Sequence, residues 1–128
     1  MLHDTLADIL NVIKTADKLG KKNCVVYFSK LGGEVLRLLK EKGYISSYEF
    51  VNDGKSGKFR VELSGKIINT GVVKPRFSVK INEFEKWEKR FLPSKDIGYL
   101  IITTPNGVVD HRQAKESKIG GKLLGYVY

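Results

Sequence analysis

The sequence predicts an α+β fold, in which an N-terminal α-β-α-β-β unit packs against a C-terminal, mostly β unit with a short helix. Two early segments carry apolar residues at helical spacing, and short β-like runs separated by turn residues fill most of the rest. The hydrophobic share of 41% in 128 residues is enough for a packed core in one or two small domains. The change in pattern predicts an N-terminal domain at 1–66 and a C-terminal domain at 67–128.

The first half of the N-terminal unit predicts two amphipathic helices. Asp4 is a candidate N-cap of the first, and Gly20 suits the position after its end. Its apolar stripe consists of Leu6, Ile9, Leu10, Ile13 and Ala16. Ser29 predicts the cap of a second helix that ends at Gly43. The glycine pair at 32–33 costs helix stability, so we expect it to allow close approach of a backbone, either protein or RNA.

Short strands account for most of the remaining chain. The continuous apolar run at 24–28 predicts a buried strand. Residues 48–51 and 59–63 predict a β-hairpin, because a polar loop with two glycines joins them. In the C-terminal unit, the sequence predicts strands at 67–73, 77–81, 98–104 and 122–128 and a helix at 82–91. A second, short polar helix is expected after Asp110, a candidate N-cap.

The charge of the chain indicates a polyanionic partner. The formal net charge is +9 and the isoelectric point is near 9.6, which favours nucleic acid first and an anionic membrane surface second. The positive charge is concentrated in three blocks, at 14–42, 55–80 and 111–128. An ordinary solvated surface usually mixes the two signs, so these blocks favour a binding surface.

Several features predict a cytoplasmic protein without a membrane partner. No apolar run approaches the roughly 18 residues of a membrane span, and the N-terminus lacks the pattern of a signal peptide. Cys24, the one cysteine, excludes an intramolecular disulfide and fits a reducing compartment. Because it lies in an apolar strand without a paired base, we interpret it as a buried structural thiol rather than a nucleophile.

The residues do not predict a cofactor or a metal. Gly54-Lys55-Ser56 resembles the end of a phosphate-binding loop, but the earlier glycine of that motif is missing and a strand follows. The same loop has GxxG spacing, yet it joins two strands where the RNA-binding KH motif joins two helices. Lys55 can still contact phosphate from the hairpin tip. The two histidines and one cysteine lack the spacing of metal ligands.

Two other kinds of function stay open from the residues alone. Asp110 and His111 are adjacent, and an RNA-acting enzyme that uses both is the alternative to a binding protein. Adjacent residues at a helix start do not face each other, so a cap and a surface histidine are the expected roles. The carboxylates between Glu83 and Arg90 are likewise expected to form surface pairs on a helix. A protein-interaction module would instead show an exposed apolar patch and little salt dependence.

The last quarter of the chain carries the most specific pattern. A strand ends in Thr103 and Thr104, whose hydroxyls can bond to base edges and ribose 2′-OH groups. The turn at 105–107 follows, with Pro, Asn and Gly in the positions that turns favour. The glycine pair at 120–121 has no side chains, so we expect its backbone N–H groups to approach a phosphate closely.

This segment resembles the C-terminal signature of the small-subunit ribosomal protein S-eight family, in its archaeal and eukaryotic form. The resemblance extends over nearly the whole chain through motifs in the same order, among them Asp4-Thr5-Leu6-Ala7-Asp8, Ser29-Lys30-Leu31, Lys74-Pro75-Arg76-Phe77 and Glu85-Lys86-Trp87. It implies two packed domains, no catalysis, and a structural role in the small ribosomal subunit. It also implies binding to the central domain of small-subunit rRNA early in assembly.

The resemblance also implies particular partners and RNA-contact positions for this chain. The resemblance implies neighbouring small-subunit proteins as partners and, in some members, the protein's own messenger RNA. We expect a monomer outside the ribosome. The matching RNA-contact positions are Ser29, Lys30, Lys74, Arg76, Thr103, Thr104, Asn106, Gly107, Gly120, Gly121 and Lys122. Pro105 stands where many members have a hydroxyl, and Lys122 stands where bacterial members have Glu, so we expect Lys122 to contact phosphate.

Overall fold

A computed structural model describes residues 5–74, 76–94 and 97–128 of the chain. Its internal contacts divide it into two units, one ending at Ile68 and the other comprising Asn69–Tyr128. Helices and antiparallel sheets occur in both, so the predicted α+β fold class is confirmed. The expected boundary lies two residues before this division, and separate roles for the two units stay a prediction. The proposed cap Asp4 and the stiffening residue Pro75 lie outside the described residues.

The N-terminal unit has the predicted α-β-α-β-β order. Its elements are α1 (Thr5–Lys18), β1 (Asn23–Tyr27), α2 (Lys30–Glu41), β2 (Ile45–Val51) and β3 (Lys58–Leu63). The three strands form an antiparallel sheet in the order β1-β3-β2. The predicted apolar stripe of α1 is buried, and Gly20 ends the helix with a φ of 75°. The loop that joins β2 to β3 spans residues 52–57, as the sequence predicts.

The end of α1 fixes the chain that leaves β3. Asp17 is only 9% exposed, and its carboxylate accepts hydrogen bonds from the backbone N–H groups of Gly65 and Ile67, at 2.9 and 3.0 Å. A buried carboxylate needs such partners. These bonds therefore hold the segment that follows β3 against the end of α1. The sequence does not indicate this contact.

Strand β1 is not the buried strand that the apolar run predicts. It lies at the edge of the sheet, and only Val26 is buried, whereas Val25 and Tyr27 are 54% and 69% exposed. Alternate side chains of an antiparallel strand point to opposite faces, and here one face is exposed. Cys24 is partly rather than fully buried. Burial raises the pKa of its thiol, with a smaller contribution from Asp17, which makes it a poor nucleophile at neutral pH.

Helix α2 begins at the predicted cap. The Ser29 Oγ accepts a hydrogen bond from the Gly32 N–H at 2.9 Å. A Cβ atom on Gly32 would lie 2.5 Å from the Ile9 Cδ1 atom, and one on Gly33 would lie 3.1 Å from the Phe59 ring. The glycine pair therefore allows close packing against α1 and β3. Of the two predicted uses, close approach of the protein is the one observed.

The C-terminal unit is built on one five-stranded sheet. Its elements are β4 (Thr70–Val72), β5 (Ser78–Val79), α3 (Phe84–Phe91), β6 (Tyr99–Thr104), β7 (Gly107–Asp110), α4 (His111–Ser117) and β8 (Gly121–Val127). The strand order is β4-β8-β6-β7, and β5 also pairs with β8. A 3₁₀ turn at Ile81–Glu83 precedes α3. Strand β7 was not predicted, because four residues that end in a helix cap carry too little alternation to identify a strand.

A mixed aliphatic and aromatic core holds α3 against this sheet. Phe84, Leu100, Ile102 and Leu123 are fully buried within it. Around them runs a series of nearly parallel rings, with neighbouring centroids 4.8 to 6.1 Å apart, formed by Phe77, Trp87, Phe91, Tyr126 and Tyr128. This packing fixes the helix on the strands that lead to the predicted RNA contacts.

We expect Ser29→Ala to lower the free energy of unfolding by about 1 kcal/mol, because it removes the acceptor for the Gly32 N–H. Urea denaturation followed by circular dichroism measures this loss. Ser56→Ala, at an exposed position of the hairpin loop, is the control and should change stability by less than about 0.5 kcal/mol. Equal stabilities of the two variants would contradict a stabilising cap.

Candidate nucleic-acid interface

The five-stranded sheet brings the predicted C-terminal contacts together. Thr104 pairs with Gly107 across the β6–β7 hairpin, and Thr103 pairs with Lys122 across β6 and β8. We name the loop edge as the end of the sheet formed by Thr103, Thr104, Asn106, Gly107, Gly120, Gly121 and Lys122. These residues are distant in the sequence, and register places them at one end of three neighbouring strands. Their contact with RNA stays a prediction.

The two threonines of the loop edge have different surroundings. The Thr104 hydroxyl accepts from the Asn106 N–H at 3.1 Å and donates to the Gly107 carbonyl at 2.9 Å, so it closes the hairpin turn. Thr103 is half-buried, and within the described part of the chain its hydroxyl has no hydrogen-bond partner. Directly paired residues of an antiparallel sheet project to the same face, so the Thr103 side chain lies beside that of Lys122.

The glycine pair of the loop edge is explained by strand packing. A Cβ atom on Gly120 would lie 2.6 Å from the Val79 carbonyl oxygen, and one on Gly121 would collide with the Thr103 carbonyl oxygen. The absent side chains thus make room for β5 on one side and β6 on the other. Both residues are half-buried against protein, so strand packing accounts for the missing side chains, and a phosphate contact at their backbone stays a prediction.

The segment between β4 and β5 adds two cations alongside β8. Lys74 and Arg76 are exposed. Val73 donates to the Leu124 carbonyl at 2.9 Å before this segment, and the Phe77 carbonyl accepts from the Leu123 N–H at 2.9 Å after it. Both cations therefore project from a short excursion that is anchored to β8 at each end. Ser78 then pairs with Lys122, which connects the segment to the loop edge.

The remaining predicted contacts lie in the N-terminal unit. Ser29 uses its hydroxyl to cap α2, whereas Lys30 is exposed in the first turn. Lys55 is exposed at the tip of the β2–β3 hairpin. The Phe28 N–H donates to the Gly57 carbonyl at 3.2 Å, which ties the start of α2 to the hairpin loop. Lys30 and Lys55 therefore belong to the same end of the three-stranded sheet.

Asp110 and His111 lie inside the protein. Their exposed fractions are 0% and 1%. Asp110 caps α4 as predicted, since its Oδ1 accepts from the Gln113 N–H at 2.9 Å. The prediction of a surface histidine is wrong: the His111 Nδ1 accepts from the Leu100 N–H at 3.0 Å. An RNA-cleaving site at this pair would be closed to substrate, so the geometry contradicts the enzymatic alternative.

Sequence reasoning missed Glu88, which is only 4% exposed. Its Oε1 lies 2.9 Å from the His111 Nε2 and 2.7 Å from the Lys115 Nζ. The expectation of surface pairs on this helix is therefore wrong for Glu88. The helical spacing of Phe84, Trp87, Glu88 and Phe91 was the available signal, because it places this carboxylate on the apolar face.

The histidine is held in its neutral form. Its Nδ1 accepts a hydrogen bond, so the proton is on Nε2, which donates to Glu88. Burial lowers the pKa of His111 to about 4, against the opposing influence of the Glu88 carboxylate. The neutral His111 ring thus joins α4 to β6 and α3, and it adds no charge of its own to the buried Glu88 carboxylate.

We expect stability to fall as the pH decreases from about 6.5 to about 4. The folded-state pKa of His111 is about 4 and its ordinary value is 6.5, so the unfolded chain binds this proton first. Protonation of His111 should lower the free energy of unfolding by up to about 3 kcal/mol at low pH, and it has no effect at pH values well above the ordinary pKa. Urea denaturation at several pH values measures it. His111→Gln, which cannot titrate, should show a shallower dependence, and identical slopes for both proteins would contradict this assignment.

The described residues offer two further observations on function. None of their helices is long and apolar enough to cross a membrane. Among them, no group of three or more His, Cys, Asp or Glu side chains is arranged to hold a metal ion.

Comparison with known proteins identifies the family. The sequence model of the family described as Ribosomal protein S8 matches residues 4–128. Small ribosomal subunit protein uS8 from Methanococcoides burtonii is 50% identical over 129 residues, which cover 100% of this chain and 99% of that protein. The match spans both units, including the strands and turns that form the loop edge. The chain belongs to the ribosomal protein S8 family.

Proposed function

We propose that this protein is a structural constituent of the small ribosomal subunit that binds and stabilises the central domain of small-subunit rRNA during assembly. The placement of Thr103 beside Lys122 at the loop edge carries this proposal, because it sets an uncommitted hydroxyl next to a cation. The net charge of +9 supports an RNA partner. The S8 family relationship supports the ribosomal setting.

The loop edge and the surrounding cations have separate roles in this proposal. Phosphate contacts supply affinity without reading the RNA sequence. We assign these contacts to the exposed side chains of Lys74, Arg76 and Lys122. The Thr103 hydroxyl and the exposed Asn106 amide offer both donors and acceptors. Such groups suit the base edges and 2′-OH groups of an irregular RNA helix. Thr104 contributes indirectly, since its hydroxyl holds the turn that presents Asn106.

The N-terminal cations extend the same binding mode. Lys30 and Lys55 are exposed at one end of the three-stranded sheet and are assigned to phosphate. Neighbouring small-subunit proteins are further partners, and a messenger that imitates the rRNA site would compete for the loop edge. The proposed location is the cytoplasmic ribosome, with a monomer before assembly and no catalytic step.

Binding to an rRNA hairpin tests the proposal. A hairpin fragment from the central domain is compared with a scrambled hairpin of equal length, each titrated at several salt concentrations. A strong preference for the true fragment, together with a steep salt dependence, is the expected result. Equal and weak binding to both fragments would overturn the proposal and leave only a generic basic surface.

We expect Thr103→Val to weaken binding to the true hairpin about tenfold, because it removes the hydroxyl and keeps the shape of the side chain. Binding to the scrambled hairpin and the salt slope should not change. Fluorescence anisotropy measures both affinities. Thr15→Val, at an exposed position of α1, is the matched control and should have no effect. Equal losses on both hairpins would exclude Thr103 as a specific contact.

We expect Lys122→Gln to weaken binding to both hairpins and to reduce the slope of log affinity against log salt by about 1, as the loss of one phosphate contact predicts. The salt titration above gives this slope. Lys40→Gln removes an exposed charge near the end of α2 and controls for the change in net charge. An unchanged slope in Lys122→Gln would show that this lysine does not contact phosphate.

A further inference from the structure

Two phenylalanine rings of the N-terminal unit are exposed although they continue its core. Phe50 is 54% exposed and Phe28 is 38% exposed. Their ring centroids lie 5.2 Å apart at an interplanar angle of 76°, and Phe28 lies 5.3 Å from the ring of Phe59, which is 5% exposed. The three rings form a series that begins in the core and ends in solvent. We name Phe28 and Phe50, with Lys30 and Lys55, the aromatic tip.

The aromatic tip is held in place by its backbone. The ring of Phe50 covers Gly57, where a Cβ atom would collide with it, and Gly57 has a φ of 93° that other residues rarely adopt. The Asp53 carboxylate accepts from the N–H groups of Lys55 and Gly57, at 2.9 and 3.1 Å. The rings are therefore ordered before a partner arrives, which lowers the entropic cost of binding.

Positive charge flanks these rings. Lys30 follows Phe28 by two residues, and Lys55 precedes Gly57 by two, and both lysines are exposed. The nearby carboxylate of Asp53 is engaged by backbone N–H groups, which lower its pKa. Glu49 projects to the other face, because it pairs with Arg60 whereas Phe50 pairs with Phe59.

We propose that Phe28 and Phe50 form a stacking platform for an unpaired RNA base, with Lys30 and Lys55 contacting the phosphates beside it. This inference rests on the proposed function and adds a second contact apart from the loop edge. An exposed aromatic ring beside lysines is the arrangement that binds single-stranded RNA, since every base has a face that stacks. A base within a duplex has both faces covered and cannot stack in this way.

The charge beside the rings favours RNA over an apolar protein partner. The other exposed apolar side chains of this sheet are Val25, Tyr27 and Val51. They lie on the opposite face, because Tyr27 and Val51 both pair with Lys58, while Phe50 pairs with the buried Phe59. Phe50 therefore projects away from these groups, whereas Phe28 lines one cavity together with Val25 and Tyr27. The two exposed lysines beside the rings, rather than the spread of apolar surface, therefore decide between the partners.

Binding of a short single-stranded RNA that contains 5-iodouridine tests the platform, with a blunt duplex of the same sequence as comparison. The full-length protein should prefer the single strand. Phe50→Leu keeps an apolar side chain but loses the ring, so it should weaken single-strand binding about tenfold, whereas Phe50→Tyr should bind as the parent does. Leu19→Ala removes an exposed apolar side chain just beyond α1 and should have no effect. Irradiation should cross-link the RNA to the peptide that contains Phe28 or Phe50.

Two outcomes would overturn the platform. Unchanged affinity of Phe50→Leu for the single strand would leave an apolar protein contact as the use of these rings. Cross-links confined to other peptides would place the unpaired RNA elsewhere. The central-domain hairpin distinguishes this failure from failure of the proposed function, because preference for it over the scrambled hairpin depends on Thr103 and should be the same in all three variants. If the protein binds the hairpin specifically but Phe50→Leu does not change single-strand binding, the platform is refuted and the proposed function is not.

Discussion

The close passage of β8 between β5 and β6 is the constraint on which the candidate interface depends. Gly120 and Gly121 bring this strand so near to the carbonyl oxygens of Val79 and Thr103 that no side chain fits. The register that results sets Lys122 opposite Thr103. A slip of β8 by one residue would turn Lys122 to the other face of the sheet, away from Thr103. The glycines thus shape the candidate interface through the geometry of the sheet.

The buried cluster around Glu88 complements this constraint. Helix α4 connects β7 to β8, so its position decides where β8 begins. His111 joins α4 to the Leu100 backbone, and Glu88 joins it to α3. Lys115 adds a charge to the same carboxylate from a half-exposed position. Removal of one partner from such a cluster leaves another buried and unpaired, which costs more than the bond itself contributes. Asp110 and His111, which resembled a catalytic pair, therefore help to set the shape of the candidate interface.

Local chemistry was readable from the sequence, and long-range pairing was not. The caps Ser29 and Asp110 and the apolar stripe of α1 depend on neighbours within four residues, and they were predicted correctly. The exposure of β1, the burial of Glu88 and the packing of the glycine pairs depend on contacts with distant segments. Periodicity cannot tell an edge strand from a central one, because both are short and apolar. For the candidate site, the sequence and the family resemblance supplied its members, and the structure supplied their grouping and which hydroxyls are already engaged.

This engagement of hydroxyls separates two kinds of contribution within the candidate site. Ser29 and Thr104 match contact positions of the family, yet each hydroxyl already bonds to backbone, in a helix cap and in a hairpin turn. Thr104 has used its one donor and one acceptor site inside the protein, whereas Ser29 has used one acceptor site. The Thr103 hydroxyl keeps its full capacity, since it has no partner among the described residues. In the proposed function, a few uncommitted groups would read RNA shape while committed ones hold them in position. Such a division would let a small basic domain discriminate among RNA sites even where phosphate contacts supply most of the affinity.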